Sequence, residues 1–305
     1  MIGEFSVTWL ITELLSVVLF VLCMLHALNS DKPKQKLFEL ICFILAAAIF
    51  EHFGVLTGNY WYSQKRLMMF GLIPLSILMI EAVTMYAAMV LFESMNMPKW
   101  TIIWFVGLLS TVQDMTIGPV YVHDTYVYDG VAQGQWNWKI YYDTTFFGIP
   151  FFNFSSWFYM TGLYAGLLYL GRHFSEKGNR AKLAVAYPFL SAVLLLLPLI
   201  PTALILIKPI YSSNSTFLFW YELIALILNC AFGAALIAKY WNGIKPVSIK
   251  KDGFVVFCVP LILHLYDVIT GFALGIKESY VPVILFTVLH MAFLLVIYQK
   301  SKKHA

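Results

Sequence analysis

The chain has 305 residues, of which 61% are hydrophobic and 12% charged, against roughly 25% charged in an ordinary soluble domain. This composition excludes a water-soluble globular fold, and the apolar runs leave no stretch for a separate catalytic head. The net charge of +4 is explained by basic loops facing anionic lipid and gives no reason to invoke nucleic acid.

Taking about 20 apolar residues as the mark of a bilayer crossing, the pattern predicts nine transmembrane helices near 7–28, 37–57, 70–92, 100–122, 149–171, 184–207, 215–239, 254–276 and 281–299. The expected fold is all-α, a polytopic helical bundle forming a single integral membrane domain over 1–305. The first run lacks a basic leader and a small-residue cleavage site, so it reads as a retained helix. The sixth contains Pro188, Pro198 and Pro201, which predict a kink that neighbouring helices can tolerate.

Orientation follows from the basic residues. Fifteen of the 20 Lys and Arg fall in the first, third, fifth and seventh loops and the C-terminal tail, which places the N-terminus outside and the C-terminus in the cytoplasm. Cys23, Cys42, Cys230 and Cys258 lie in apolar segments without a C-x-x-C pair, so neither a disulfide framework nor a zinc site is expected. Phosphate loops, nucleophile elbows and Asp-rich diphosphate motifs are missing too.

Ionisable groups inside the hydrocarbon cost about 2.5–3.5 kcal/mol each on insertion scales, so their depth is informative. Glu13, Glu51, His52, Asp114 and Glu222 fall toward the outer ends of their helices, with His264 and Asp267 at or beyond the middle of the eighth, on the outer side. Only Glu81 and His290 sit near mid-depth. Glu13 and Glu39 fit simple interhelical bonds or snorkelling. Asp114 is too short to snorkel and calls for a buried partner or a wet pocket. His264 and Asp267, three apart on one face, either pair with each other or serve a site. Adjacent Glu51 and His52 point to different faces and do not form a catalytic pair. The long outer loop over 123–148 is rich in Tyr and Trp. It is either an interfacial aromatic belt or a roof over a cavity holding the acids.

Several of these residues also carry a resemblance. Glu51-x-x-Gly54, Gly58-x-Tyr60-x-Tyr62, Gly71 and Pro74, then Trp136-x-Trp138, Tyr141-Tyr142 and Phe147-Gly148-Ile149-Pro150-x-x-Asn153-Phe154-x-x-Trp157 are similar to motifs of a membrane carotenoid-biosynthesis family. That family includes the carotenoid 1,2-hydratases of bacterioruberin and gamma-carotene pathways. The motifs cover roughly residues 45–160, inside a family-like core of about 37–171, with additional helices over 184–299. One position departs from the family pattern. The family's fourth helix carries W-D-x-x-x-D-P, whereas this chain reads Gln113-Asp114-Met115-Thr116-Ile117-Gly118-Pro119, with glycine in place of the second aspartate.

The resemblance implies addition of water across the terminal C1=C2 double bond of an acyclic carotenoid, with a hydrophobic polyene or isoprenoid substrate drawn from the bilayer and membrane lipids as surroundings. Such a reaction starts with proton delivery from a buried carboxylic acid, for which Asp114 is the first candidate and Glu51 the second. Faces of Tyr60, Tyr62, Trp136 and Trp138 would stabilise the cation, Asn153 would hold the water, and Tyr142 and Trp157 would complete the substrate site. Glu222, His264 and Asp267 would stand behind it. The chemistry needs neither metal nor redox cofactor. Three other readings remain: a carotenoid or terpenoid cyclase that begins with the same protonation, a proton-coupled transporter, or a lipid-binding membrane protein.

Overall fold

The computed structural model describes residues 5–140, 145–177 and 181–302. Among them the apolar runs form nine long helical segments. Five are α1 (Val7–Leu28), α2 (Pro33–Leu56), α3 (Leu75–Met95), α4 (Ile102–His123) and α5 (Phe151–Lys177). The sixth is α6 (Ala181–Pro201), continued through a π-helical stretch at Thr202–Ile207 into α7 (Lys208–Ser213). The seventh is α8 (Ser215–Tyr240), begun by the Asn214 side chain accepting from the Phe217 amide at 3.1 Å. The eighth joins α9 (Ile249–Gly253) to α10 (Val259–Ala273) through a second π-helical stretch, and α11 (Lys277–Lys302) is the ninth. Eight crossings are long and apolar enough to span a membrane. The remaining helix, α5, has 27 residues, is interrupted by polar groups, and packs most extensively on α4.

The core lies around α3 and α4, which bury 89% and 78% of their apolar stretches, against 17% and 22% for the sixth and seventh crossings. Helices that are apolar all round belong inside, and α3 is such a helix. Gly162 of α5 permits the close approach to α4, since a Cβ there would come within 2.4 Å of the Ile103 carbonyl. Pro188 and Pro198 lie within continuous α-helix, and the sixth crossing changes to π-helical geometry directly after Pro201.

Helix periodicity did not anticipate three short antiparallel pairs at the end where α2 stops and α3 starts. β1 (Tyr60–Tyr62) pairs with β6 (Trp136–Trp138), β2 (Met69–Phe70) with β3 (Ile73–Pro74), and β4 (Thr125–Tyr128) with β5 (Val131–Gly134). The second pair is why α3 begins at Leu75 rather than near 70. His52 braces it, accepting from the Leu72 amide through Nε2 at 3.2 Å while Nδ1 meets the Ala48 carbonyl at 2.7 Å. The β4–β5 turn uses Asp129 and Gly130, both at positive φ, as a two-residue hairpin requires.

Each end of the bundle has its own polar clamp. At the hairpin end Arg66 donates to the Gln135 side chain at 3.0 Å, Gln135 donates to Asp124 at 2.8 Å, and Glu13 accepts the Leu67 amide. Opposite, the Arg172 guanidinium joins Glu39 of α2 to Glu93 of α3, Tyr187 of α6 also donates to Glu39, and Lys36 meets Glu93 at 3.0 Å.

Candidate active site

The alternation of a strand sends Tyr60 and Tyr62 to one face and Trp61 to the other, and burial follows: the tyrosines are buried and Trp61 is 45% exposed. On the partner strand the same alternation buries Trp136 and Trp138. The register sets Tyr60 opposite Trp138 and Tyr62 opposite Trp136, so four aromatic rings form one sheet face turned into the bundle. Tyr62 stacks on Trp136 with centroids 5.9 Å apart, and Tyr60 tilts against Trp138 at 4.6 Å. The 123–148 loop thus divides in two. Its β6 segment roofs the interior, whereas the β4–β5 hairpin leans on α1 through Trp9 and Tyr126.

Both tyrosine hydroxyls meet one atom below: Tyr60 and Tyr62 donate to Glu51 Oε2 at 2.9 and 2.7 Å. Burial, and next the charge of Glu51, push both phenols well above the usual tyrosine range, so they stay protonated donors. Glu51 and Tyr60 line a cavity of about 50 Å³ with Thr57, Asn59, Trp138, Asn153 and Trp157. Ala203 and Ile207, from the π-helical stretch, close its side.

Asn153 connects this cavity to the second acid. Its Nδ2 donates to Asp114 Oδ2 at 2.8 Å, while Asp114 Oδ1 has no protein partner among the described residues and the residue is fully buried. The turn that starts α5 explains the placement of Asn153. Phe147 and Gly148 both take positive φ, Phe146 bridges to Ile149, and the chain enters the helix at Phe151. The same turn sets Ile149 against Gly118: a Cβ at Gly118 would lie 2.5 Å from Ile149 Cδ1 and 3.8 Å from Asp114 Oδ1. The space beside Gly118 is therefore filled by Ile149. A third carboxyl, Glu81 of α3, lies within electrostatic reach of both Glu51 and Asp114, and its Oε2 is buried without a protein partner among the described residues.

Asp267 and His264 do not bond each other. Both meet Thr116 of α4, at 3.1 Å from Oδ2 and 3.2 Å from Nδ1, and His264 Nε2 bonds His290 Nδ1 at 2.9 Å. A shared face on one helix left the choice of partner to the neighbouring helix, and its hydroxyl lies between them. Glu222 is buried beside Tyr159 and Ser155 of α5.

The structure thus gathers Glu51, Tyr60, Trp138, Asn153 and Trp157 around one cavity, with Tyr62 and Trp136 in the layer above. Asp114 is reached through Asn153, and Asp267 meets Thr116, two residues along α4 from Asp114. His264 joins through Thr116, Glu222 touches neither Glu51 nor Asp114 in any described contact, and Tyr142 lies outside the described residues. Glu81 joins the acids although its mid-helix position had set it apart; the signal that could have found it is its cost, an unpaired acid in an otherwise apolar span.

Comparison with known proteins agrees with the motifs and widens their reach. The family described as carotenoid biosynthesis protein matches residues 11–220, from α1 into the first turns of α8. No curated protein and no solved structure matches the chain. With more than half of its length matched, and the site motifs inside the matched region, the chain belongs to the carotenoid biosynthesis protein family.

Proposed function

We propose that the protein is a carotenoid 1,2-hydratase, adding water to the terminal C1=C2 bond of an acyclic carotenoid. The alkene π pair takes the proton of the Asp114 carboxyl at C2, leaving a tertiary cation at C1. Water attacks C1, and the proton it sheds returns to the carboxylate, so the acid is regenerated and no co-reactant is consumed. The aromatic faces of Tyr60 and Trp138 oppose the cation, Asn153 orients both Asp114 and the water, and Glu51 faces the cavity as the second carboxyl.

The observation that carries this reading is the cavity joining Glu51 to Asn153. At about 50 Å³ it exceeds the 10–15 Å³ or so that one water needs, and it offers the two to four polar partners that hold one. A dry site would suit cyclisation, where another alkene captures the cation; a polar recess beside the acid suits hydration. Expression in a lycopene-producing host, with pigments weighed by mass spectrometry, tests it. A product heavier by one water is expected. An isomer of unchanged mass would identify a cyclase, and unaltered pigment would end the assignment for this substrate. We also read the hairpin end as external, from the excess of basic residues at the other end.

A further inference from the structure

A second cavity lies on the far side of α4, away from the aromatic roof. It measures about 710 Å³ and runs between α8 and α11 with α4 as its floor, within the range of about 300–1,000 Å³ usual for small-molecule sites. Its walls are aliphatic and aromatic, and its outer rim includes Leu289, 54% exposed, so it opens sideways from the bundle. Two polar side chains line it: Asn242 just beyond the end of α8, and His290 at the middle of α11.

His290 is only 5% exposed, lines the groove, and has its Nδ1 engaged by His264 Nε2, which leaves Nε2 as the ring nitrogen free of that bond. Behind it, His264 Nδ1 is within 3.2 Å of the hydroxyls of both Thr116 and Thr287. A bond between two imidazole nitrogens needs one donor and one acceptor, so the pair has two arrangements, and His290 Nε2 offers the groove a lone pair in one and an N–H in the other. Only a ligand group that both accepts and donates satisfies both, and a hydroxyl does so. At mid-bilayer depth a hydroxyl finds no partner among lipid tails, and leaving it unpaired is costly.

We infer that the α4–α8–α11 groove is a second binding site, for a linear isoprenoid alcohol whose hydroxyl bonds His290 while its chain lies along the apolar walls. The isoprenoid class follows from the family, and the site does not depend on the hydration chemistry, although the alcohol formed by hydration is one such molecule.

Photolabelling of the full-length protein in lipid nanodiscs, with a diazirine analogue of geranylgeraniol and peptide mapping, tests the site. Saturable labelling of α8 and α11 is expected, with geranylgeraniol competing about ten-fold better than the hydrocarbon of the same chain length, as one hydrogen bond predicts. His290→Leu should erase that preference, and Ala238→Trp, filling the groove from its rim, should remove labelling altogether. Glu51→Gln and Asp114→Asn should leave labelling unchanged, which separates this site from the proposed catalytic one. If His290→Leu does not insert, Ala238→Trp decides. Equal competition by alcohol and hydrocarbon, or labelling that survives Ala238→Trp, would overturn the inference. So would an altered oligomeric state of Ala238→Trp with labelling intact, which would make the groove a protein-contact face.

Discussion

Asn153 binds Asp114 through a single hydrogen bond of 2.8 Å to Oδ2, and the other carboxyl oxygen, Oδ1, has no protein partner among the described residues. A buried acid with one oxygen held and one unengaged is positioned yet still able to pass its proton on. Asp114→Asn keeps the shape and removes the transferable proton. Hydration in membranes should fall by about 10²–10⁴-fold, the usual contribution of a positioned general acid, with insertion and melting temperature unchanged. Asn153→Ala should lower both activity and stability, the latter by about 1–3 kcal/mol, because it strips a buried acid of its partner. Full activity in Asp114→Asn would remove Asp114 from the mechanism.

Glu51 Oε2 is a shared acceptor for two phenols, and shared acceptors are non-additive. Tyr60→Phe or Tyr62→Phe alone leaves one donor in place. Together they leave Glu51 with neither phenol, so the double variant should lose more than the sum of the singles, by about 0.5–3 kcal/mol. A double-mutant cycle on thermal unfolding in detergent measures this, and strict additivity would show that the two hydroxyls do not share the carboxylate.

Gly118 and Ile149 divide one volume between them. Gly118→Asp, which restores the acid that the resemblance places there, drives its Cβ into Ile149 Cδ1 and should cost about 1–3 kcal/mol by overpacking. Ile149→Ala alone opens a cavity and should cost about 2–5 kcal/mol. The double variant should be more stable than either single, and melting temperatures of the three proteins decide. A double variant worse than both would mean that the two side chains do not compete for this space.

These residues also mark where reading the sequence succeeds and where it stops. Crossings are legible because bilayer length and apolar composition are local properties, and the gathering of Glu51 and Asp114 in one half of the bundle follows from their places along their helices. The β1–β6 pairing is not legible locally, since Tyr60 and Trp138 belong to different loops and only the folded bundle brings them opposite each other. For the same reason the hydroxyl that meets both His264 and Asp267 belongs to α4 and could not be read from their spacing. Glu81 looked isolated because its nearest acids come from α2 and α4, and depth alone does not say which way a helix face turns.

Far from the cavity, Arg172 holds Glu39 and Glu93 together from three different helices. Arg172→Ala leaves both carboxylates without it, and breaking a buried pair from one side costs about 3–5 kcal/mol. The expected result is a large drop in melting temperature, with turnover per folded molecule unchanged at a temperature where the variant remains folded. Lost turnover in fully folded protein would mean that this network reaches the site as well.

Orientation is the last consequence that a direct measurement can settle. Translocating Lys and Arg is disfavoured, so the loops that keep them stay cytoplasmic, and 15 of the 20 fall in the first, third, fifth and seventh loops and the C-terminal tail. Val131, at the β4–β5 turn, is 58% exposed, and Lys250 in α9 is exposed at the other end. In a variant with Cys23, Cys42, Cys230 and Cys258 replaced by alanine, a cysteine introduced by Val131→Cys should react with a membrane-impermeant maleimide in intact cells. One introduced by Lys250→Cys should react only after permeabilisation. The opposite pattern would turn the aromatic roof toward the cytoplasm and would require the proposed catalytic cavity to be approached from that side of the bilayer.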